Sequence, residues 1–179
     1  TKGIAGQGYA FVMPASMRMV HTGVALDSFG QSMSDGTLVL RCADKRNDYL
    51  AHENTIVGNH SLYGAYGGAA YIEGIAGHYF GTLMKGINVV VEGVGDYAFQ
   101  YMTDGTGMVL GTVGRNLGSS ACGGILFVYD EHNINTREIS NDMRIVEDPA
   151  EFLPYAPTIR SMLDNHAAET GSLRAKAIV

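Results

Sequence analysis

The sequence predicts an all-β fold, a single-stranded right-handed parallel β-helix (a solenoid) with a C-terminal helical tail. Three observations predict it: a spacing of about 18 to 19 residues between similar rows, one short aliphatic run in each row, and 24 glycines in 179 residues. A fixed period in this range is typical of a solenoid. The connections are too short for a crossover helix, so each strand is expected to pair in parallel with the equivalent strand one row earlier.

The repeat is clearest between Gly74 and Asp130. Each row contains a glycine turn, a short polar or small-residue stretch, a second glycine turn and an apolar run. Apolar runs of this length, rich in Val and Ile, indicate buried parallel strands. The predicted strands lie near Leu38, Ala70–Ile72, Val89–Val91, Val109–Leu110 and Leu126–Val128.

The glycines are interpreted as corner residues that join the flat sides of each coil. Tight corners need residues with positive φ, a conformation that costs glycine least. We therefore assign corner roles to ten glycines, and we expect positive φ at Gly95 and Gly114 in particular. The ten structural turn glycines are Gly67, Gly68, Gly77, Gly93, Gly95, Gly105, Gly111, Gly114, Gly123 and Gly124.

Two stretches near the start of the chain are harder to interpret. Residues 9–13 are predicted to form an apolar strand that ends at Pro14. Residues 49–53 lack the Gly-Gly pair of a further row, which suggests that a coil is missing near Tyr49.

The composition changes after Asp130, so residues 1–130 are expected to form the glycine-rich β-helix domain. Residues 131–179 are expected to run over its surface and to end in helices that pack on the solenoid or on a partner. An apolar stripe with helical spacing predicts the main helix, with Gly171 as its stop and Ser172 as the N-cap of a second helix. The stripe consists of Ile159, Met162, Leu163, His166 and Ala167.

Composition excludes several function classes. The formal net charge of −6 is modest and acidic, so we expect no nucleic-acid partner. No apolar run approaches the roughly 18 residues of a membrane span, and the first residues lack the apolar core of a signal peptide. We therefore expect no membrane association and a cytoplasmic location. Cys42 and Cys122 are interpreted as two reduced, buried thiols.

No motif in the sequence predicts catalysis or a bound cofactor. Residues 93–98 fit G-x-G-x-x-[GA], but Asp104-Gly105 interrupts any following helix and no acidic residue stands at the required distance. Thr1 would be a nucleophile only as a mature N-terminus. The six histidines have no metal-ligand spacing and are interpreted as surface or corner residues: His21, His52, His60, His78, His132 and His166. Four carboxylates would form a ladder if they stacked: Glu92, Asp96, Asp104 and Asp130.

Four tyrosines lie next to the glycine turns. Tyrosine offers a large contact area with a polar tip, and few charges surround these residues. We interpret them as contacts for a partner, the alternative being that some of them fill corners. They are Tyr63, Tyr66, Tyr97 and Tyr101.

Four ordered motifs and the tail resemble the glycine-rich (GXGXG) β-helix domain at the C-terminus of the glutamate synthase large subunit. The motifs span residues 62–68, 90–96, 101–105 and 110–116, and the tail contributes His166 and residues 169–172. Phe99-Gln100 and Ala121-Cys122 depart from the pattern of this family. The resemblance covers approximately Val24 to Ile178.

The resemblance implies a non-catalytic part of an enzyme. In this family a glutaminase domain releases ammonia from glutamine, and a flavin domain with an iron–sulfur cluster uses the ammonia to aminate 2-oxoglutarate. The resemblance implies that this chain binds no cofactor, that FMN and the cluster lie in partner domains or subunits, and that the chain braces them in a hetero-oligomer. Two alternatives stay open: a C subunit of a formylmethanofuran dehydrogenase-like or formyltransferase/hydrolase complex, and a self-contained β-helix enzyme with a carboxylate site on a coil face.

Overall fold

The computed structural model describes residues 1–43, 50–131 and 138–179, and its described strands form one parallel sheet. Within those residues, eight strands follow one another along the chain, and every strand pairing is parallel. The fold is a β-solenoid, as the sequence predicts. The strands are β1 (Lys2–Ala5), β2 (Arg18–Ala25), β3 (Thr37–Arg41), β4 (Thr55–Val57), β5 (Ala69–Ala76), β6 (Asn88–Val94), β7 (Thr106–Val109) and β8 (Ile125–Val128).

The strand register confirms the predicted row alignment. Leu38 lies opposite Ala70, Ala70 opposite Val89, Val89 opposite Gly107, and Gly107 opposite Leu126. These positions point into the coil and, except for the half-buried Leu126, are fully screened from solvent. Stacking the aliphatic runs in this way buries one continuous apolar core along the axis.

The longer strands contribute to two sides of each coil. β5 pairs with β3 through residues 69–72 and with β4 through residues 75–76, and the register shifts between the two parts. We call the side formed by β3, β7, β8 and the first halves of β2, β5 and β6 the first sheet face. β1, β4 and the second halves of the long strands form the second sheet face.

The described sheet continues without a break on either side of Tyr49. β3 and β5 are hydrogen-bonded neighbours, so the chain between them makes a single coil. That coil is longer than the others: equivalent corner residues Asp27 and Asn59 are 32 positions apart, against 18 or 19 elsewhere. The extra length falls between β3 and β4 and includes a 3₁₀ turn at Ala51–Glu53. Tyr49 itself lies outside the described residues.

The third side of the coil, which we call the turn face, contains no strand. It is built from six five-residue segments in which the first, third and fifth residues have positive φ: 8–12, 28–32, 60–64, 79–83, 97–101 and 116–120. The predicted strand at residues 9–13 is therefore wrong, because Ala10 and Val12 have φ values of 62° and 53°. Most of the left-handed residues on this face are not glycines, which residue type alone does not predict.

Hydrogen bonds tie the turn segments of successive coils together. In segment 97–101, Tyr97 N donates to Arg115 O (2.8 Å) and Tyr101 N to Ser119 O (2.9 Å), one coil further on. Phe99 N donates in the opposite direction, to Phe80 O (2.6 Å). The N–H groups of every second residue thus point alternately to the coils on either side, and they are satisfied without a β-strand.

The C-terminal helices pack on the outside of the first sheet face. Helix α1 is Pro149–Phe152, a 3₁₀ turn follows at Leu153–Tyr155, α2 is Ala156–Thr170 and α3 is Leu173–Ile178. Gly171 ends α2 with φ 82°, and Ser172 caps α3 by accepting from Ala175 N, as predicted. The helices bury Met162, Leu163 and Ala175 against outward-facing side chains of the sheet, Val90 and Met108 among them.

Candidate functional site

The structure separates the ten predicted turn glycines into two groups. Gly68, Gly105 and Gly124 have φ values of 83°, 96° and 91° and directly precede β5, β7 and β8. The other seven do not have left-handed φ, and Gly93 lies inside β6. The expectation of positive φ at Gly95 and Gly114 is therefore wrong. The remaining members of the second group are Gly67, Gly77, Gly111 and Gly123.

Gly95 and Gly114 are glycines because the coils stack too closely for a side chain. They belong to a corner column with Gly58 and Gly77. A Cβ at Gly114 would lie well inside 3.0 Å of Asp96 N and of the carbonyl carbon of Gly95, and a Cβ at Gly95 would lie 3.0 Å from the backbone of Gly77. Backbone atoms cannot rotate away as a flexible side chain can, so this column requires glycine at ordinary φ.

A ladder of side chains follows the glycine column. Asp27 Oδ1 accepts from Asn59 N (2.7 Å), Asn59 Oδ1 from His78 N (2.8 Å), and His78 Nδ1 from Asp96 N (2.9 Å). Asp96 Oδ1 then accepts from Arg115 N (2.9 Å). Each side chain satisfies a backbone donor one coil further on, and the bond to His78 requires Nδ1 to be unprotonated. We call these five residues the corner ladder.

The last rung of the ladder includes an ion pair. The Arg115 guanidinium donates to Asp96 Oδ2 (2.7 Å). This side-chain hydrogen bond, and then the Arg115 N–H, hold the pKa of the Asp96 carboxyl below its ordinary value, and the pKa of Arg115 is raised in return. A carboxyl with a lowered folded-state pKa contributes stability that is present above the unfolded-state pKa and is lost as the pH falls through the folded-state pKa.

We expect Arg115→Ala to raise the pKa of the Asp96 carboxyl toward the ordinary aspartate value, because the principal hydrogen bond to its charged form is removed. Carboxyl ¹³C NMR titration measures this directly. The pKa of Asp142, which is lowered mainly by the Ser120 N–H, serves as an internal control and should not change. An unchanged Asp96 pKa in the variant would contradict the ion pair.

The four carboxylates considered for a catalytic ladder are not gathered in one groove. Asp96 is part of the corner ladder, whereas Asp104 lies at the opposite end of the turn segment and accepts from the N–H of Gly105 (2.7 Å). Asp130 follows β8. Glu92 is buried beneath the C-terminal helices. Each therefore occupies a different part of the coil.

Glu92 forms a buried polar cluster with two residues of the tail. The Ser172 hydroxyl donates to Glu92 Oε1, and His166 Nε2 lies 3.4 Å from the same oxygen. Glu92 and His166 have exposed fractions of 1% and 0%, and Glu92 Oε2 and His166 Nδ1 have no hydrogen-bond partner in the described structure. We call Glu92, His166 and Ser172 the buried clasp. It joins β6 to α2 and α3.

This cluster was not predicted from the sequence. Glu92 was interpreted as a candidate ladder carboxylate, and His166 and His21 as surface or corner residues, yet all three are buried. Two signals were available: a glutamate between Val91 and Gly93 in an otherwise apolar run, and a histidine on the apolar stripe of the helix. A buried histidine and a buried carboxylate each require a partner, and each can supply one for the other.

A second polar group surrounds Thr1. Its hydroxyl lies 2.6 Å from the Tyr9 hydroxyl and 2.8 Å from His21 Nδ1. His21 Nε2 lies 3.1 Å from the carbonyls of Gly3 and Val24, so Nε2 is the protonated nitrogen and Nδ1 accepts from Thr1. These contacts hold β1 against β2.

The predicted contact tyrosines lie on or beside the turn face. Tyr66 and Tyr101 are exposed, and Tyr63 and Tyr97 are half-buried. Tyr97 stacks on Tyr79, which stacks on His60, with ring centroids 5.4 and 5.0 Å apart. Part of the surface of Tyr97 is therefore buried against Tyr79 within the solenoid and is not available to a partner.

Within residues 1–43, 50–131 and 138–179, no three His, Cys, Asp or Glu side chains form a group that could hold a metal ion. None of the described helices is long and apolar enough to cross a membrane. Residues 93–98 lead from β6 into turn segment 97–101 and not into a helix. Of the two cysteines, Cys42 is buried as expected, whereas Cys122 is exposed.

The fold and the repeated corner glycines define a glycine-rich β-solenoid protein. The whole chain, residues 1–179, matches the GXGXG motif family, and the protein belongs to that family. It is 35% identical over 177 residues to the glutamate synthase [NADPH] large chain of Bacillus subtilis (strain 168), covering 99% of this chain and 12% of that protein.

Two more relatives match this chain with similar identity and coverage. The ferredoxin-dependent glutamate synthase of Pyropia yezoensis is 35% identical over 182 residues, covering 99% of this chain and 11% of the relative. The glutamate synthase [NADH] of Schizosaccharomyces pombe (strain 972 / ATCC 24843) is 35% identical over 182 residues, with 99% and 8% covered. The chain thus spans about a tenth of the length of the relatives that it matches.

Proposed function

We propose that this chain is the non-catalytic bracing component of a glutamate synthase-type amidotransferase/oxidoreductase. The observation that carries the proposal is that hydrogen bonds join each coil to its neighbours on all three sides. Parallel strands join them on two faces, alternating turn segments on the third, and the corner ladder along one edge. A stack tied together in this way transmits a displacement at one end to the other.

The use of the polar side chains supports the same proposal. Asp96 and His78 satisfy backbone donors of the corner ladder, Asp104 closes its own turn, and Glu92 anchors the tail. A hydrolase site on a coil face would instead need carboxylates that converge on one groove. We therefore favour the scaffold over a self-contained β-helix enzyme. The relatives reported above are glutamate synthases, so we also favour it over a formyl-transferring complex.

In this proposal the reactions belong to partner domains or subunits. A glutaminase-type part releases ammonia, and a flavin-synthase-type part that carries FMN and an iron–sulfur cluster aminates 2-oxoglutarate or a related acceptor. The chain holds the two parts in register within a cytoplasmic hetero-oligomer, with the corner glycines fixing its shape and the tyrosines of the turn face contacting a partner.

We expect the purified 179-residue chain to turn over no glutamine and to bind no FMN, yet to be required for coupled synthesis by the assembly. The measurements are glutamine hydrolysis and flavin absorbance of the chain alone, and the ratio of glutamate formed to glutamine hydrolysed in the assembly. Glutamine turnover by the chain alone would overturn the proposal.

We also expect the double variant Tyr97→Ser and Tyr101→Ser to lower that ratio in the assembly. Because Tyr97 also stacks on Tyr79, the single variant Tyr101→Ser is the cleaner test of a contact. The control is Tyr129→Ser, which follows β8 and whose ring contacts Arg174 of α3. An unchanged ratio in both turn-face variants would count against the tyrosines as contacts.

A further inference from the structure

We propose that Leu83 and Tyr101, in adjacent coils of the turn face, are the centre of a protein–protein interface. We infer that its occupant is a charge-poor surface of another domain of the assembly. This inference rests on the proposed scaffold function and adds the residues and the chemistry of the contact.

Leu83 and Tyr101 have backbone strain that the chain offsets only in part. The fifth positions of five successive turn segments form a column: Ser32, Gly64, Leu83, Tyr101 and Ser120, with φ between 55° and 62°. Left-handed φ costs a bulky residue about 1 to 2 kcal/mol, and costs glycine almost nothing. Gly64 demonstrates that glycine fits this column, so the fold does not require leucine or tyrosine there.

The neighbouring column shows what offsets such strain. Leu62 and Phe99 are the third residues of their segments and also have φ of 57°. Both side chains are completely buried in the core, and burying a side chain of this size stabilises the fold by more than the strain costs. Leu83 and Tyr101, by contrast, are 43% and 48% exposed. More than half of each residue's surface is nevertheless buried within this chain, so the strain is offset only in part.

Few formal charges surround Leu83 and Tyr101. The turn-face stretches 60–66, 79–84, 97–103 and 116–122 contain no Asp, Glu, Lys or Arg. Formal charges stand at the corners, on Lys85, Asp96, Asp104 and Arg115, and on Asp142, which accepts from Ser120 N at the end of the column. Interface cores are depleted of charge and enriched in tyrosine. Tyr66, exposed on the coil before Leu83, extends the same patch.

The cover on the other two sides of the coil indicates the occupant. The helices α2 and α3 cover the outer side of the first sheet face, and the chain around Ala51–Glu53 packs against β5 and β6 on the second. Residues 138–142 hydrogen-bond to the last turn segment, 116–120. Leu83 and Tyr101, on the two segments before it, remain exposed in the described chain. In the relatives the matching region is joined to a polypeptide of which it is only 8 to 12%. A further domain of that kind, with apolar groups and hydrogen-bond acceptors for the phenols, suits the patch.

The first experiment separates a contact role from a structural one. We expect Leu83→Gly and Tyr101→Gly in the 179-residue chain to leave the melting temperature unchanged or to raise it, because glycine relieves the strain. The matched control Phe99→Gly, in the buried column with the same φ, should lower it. A clear fall for the two exposed-site variants would show that both side chains support the fold, and would overturn the proposal.

The second experiment tests occupancy by hydroxyl-radical footprinting with mass spectrometry. In the native assembly we expect oxidation of Leu83 and Tyr101 to be about tenfold slower than in the isolated chain, because the core of an interface is desolvated. Equal rates in the two samples would overturn the proposal. Protection that rises with the concentration of the isolated chain, together with dimers in sedimentation, would assign the patch to a second copy and would also overturn it.

The outcomes for the two proposals are distinguishable. Footprinting and the glycine variants report on the patch whether or not the chain is catalytic, whereas glutamine turnover by the isolated chain reports on the scaffold function alone. Unprotected Leu83 and Tyr101 in an assembly that still needs the chain for coupling would refute the patch and leave the scaffold standing.

Discussion

Replacing Gly114 with alanine is expected to destabilise the solenoid by about 3 kcal/mol or more, a cost typical of severe steric conflict in a packed interior. The new Cβ would meet Asp96 N and the carbonyl carbon of Gly95, both main-chain atoms of the coil below. Relief requires the two coils to separate, which would break the hydrogen bonds from Gly114 N to Val94 O and from Arg115 N to Asp96 Oδ1, each 2.9 Å. Urea unfolding followed by circular dichroism measures the loss.

The informative control is Gly8→Ala. Gly8 has φ of 68°, but an added Cβ there would meet no atom within 4 Å. It should therefore cost only the left-handed strain, about 1 kcal/mol. If positive φ were the reason for glycine at both positions, Gly8, which has it, would lose more stability on substitution than Gly114, which does not. A larger loss at Gly8 than at Gly114 would contradict the close-stacking explanation.

These two glycines separate what could be predicted from the sequence, namely the positions of strands and corners, from what could not. The strands could be predicted because inward residues such as Val89 and Val91 recur with the coil period and the run itself is apolar. Corner positions could also be predicted, since glycine repeats there. The reason for glycine could not, because φ at Gly114 depends on the path of the chain and the available space depends on a residue 19 positions earlier.

The backbone conformation of the turn face could not be predicted from residue type. Tyr79, Leu83 and Phe99 favour extended or right-handed backbone by themselves, yet all three have left-handed φ. Hydrogen bonding to the coils on both sides overrides this local preference. Only the alignment of rows contains the signal, because Phe99 stands in the same column as Gly81 and Gly118. A glycine column with occasional bulky members indicates a left-handed backbone position.

The buried clasp could not be located from the sequence for a different reason. Glu92 and His166 are 74 positions apart, and nothing local to either residue indicates the other. The helix itself was predictable from its apolar stripe and its glycine stop. Where it docks was not, because the outward-facing residues of the sheet, such as Val90 and Met108, look the same in sequence as inward-facing ones.

We expect Glu92→Ala to release α2 and α3 from the first sheet face, at a cost of about 3 to 5 kcal/mol in the stability of that docking. The substitution removes the carboxylate that accepts from the Ser172 hydroxyl and pairs with His166, and leaves both side chains buried without it. Hydrogen exchange measured by mass spectrometry should show faster exchange in residues 156–178. Exchange in β5 and β6 should stay slow, because the coils remain paired with one another.

Joint replacement of Glu92 and His166 tests whether pairing or packing holds the helices. Glu92→Met with His166→Leu removes both ionisable groups and fills the space with apolar atoms, and such exchanges of a buried pair are often neutral or stabilising. We therefore expect the double variant to recover most of the protection that Glu92→Ala loses. Ser172 stays in place in this variant because its hydroxyl also caps α3 by accepting from Ala175 N (3.0 Å). If the double variant instead exchanges as fast as Glu92→Ala, the clasp fixes the position of the helices through its polar geometry, and apolar contact with Val90 and Met108 is not sufficient to dock them.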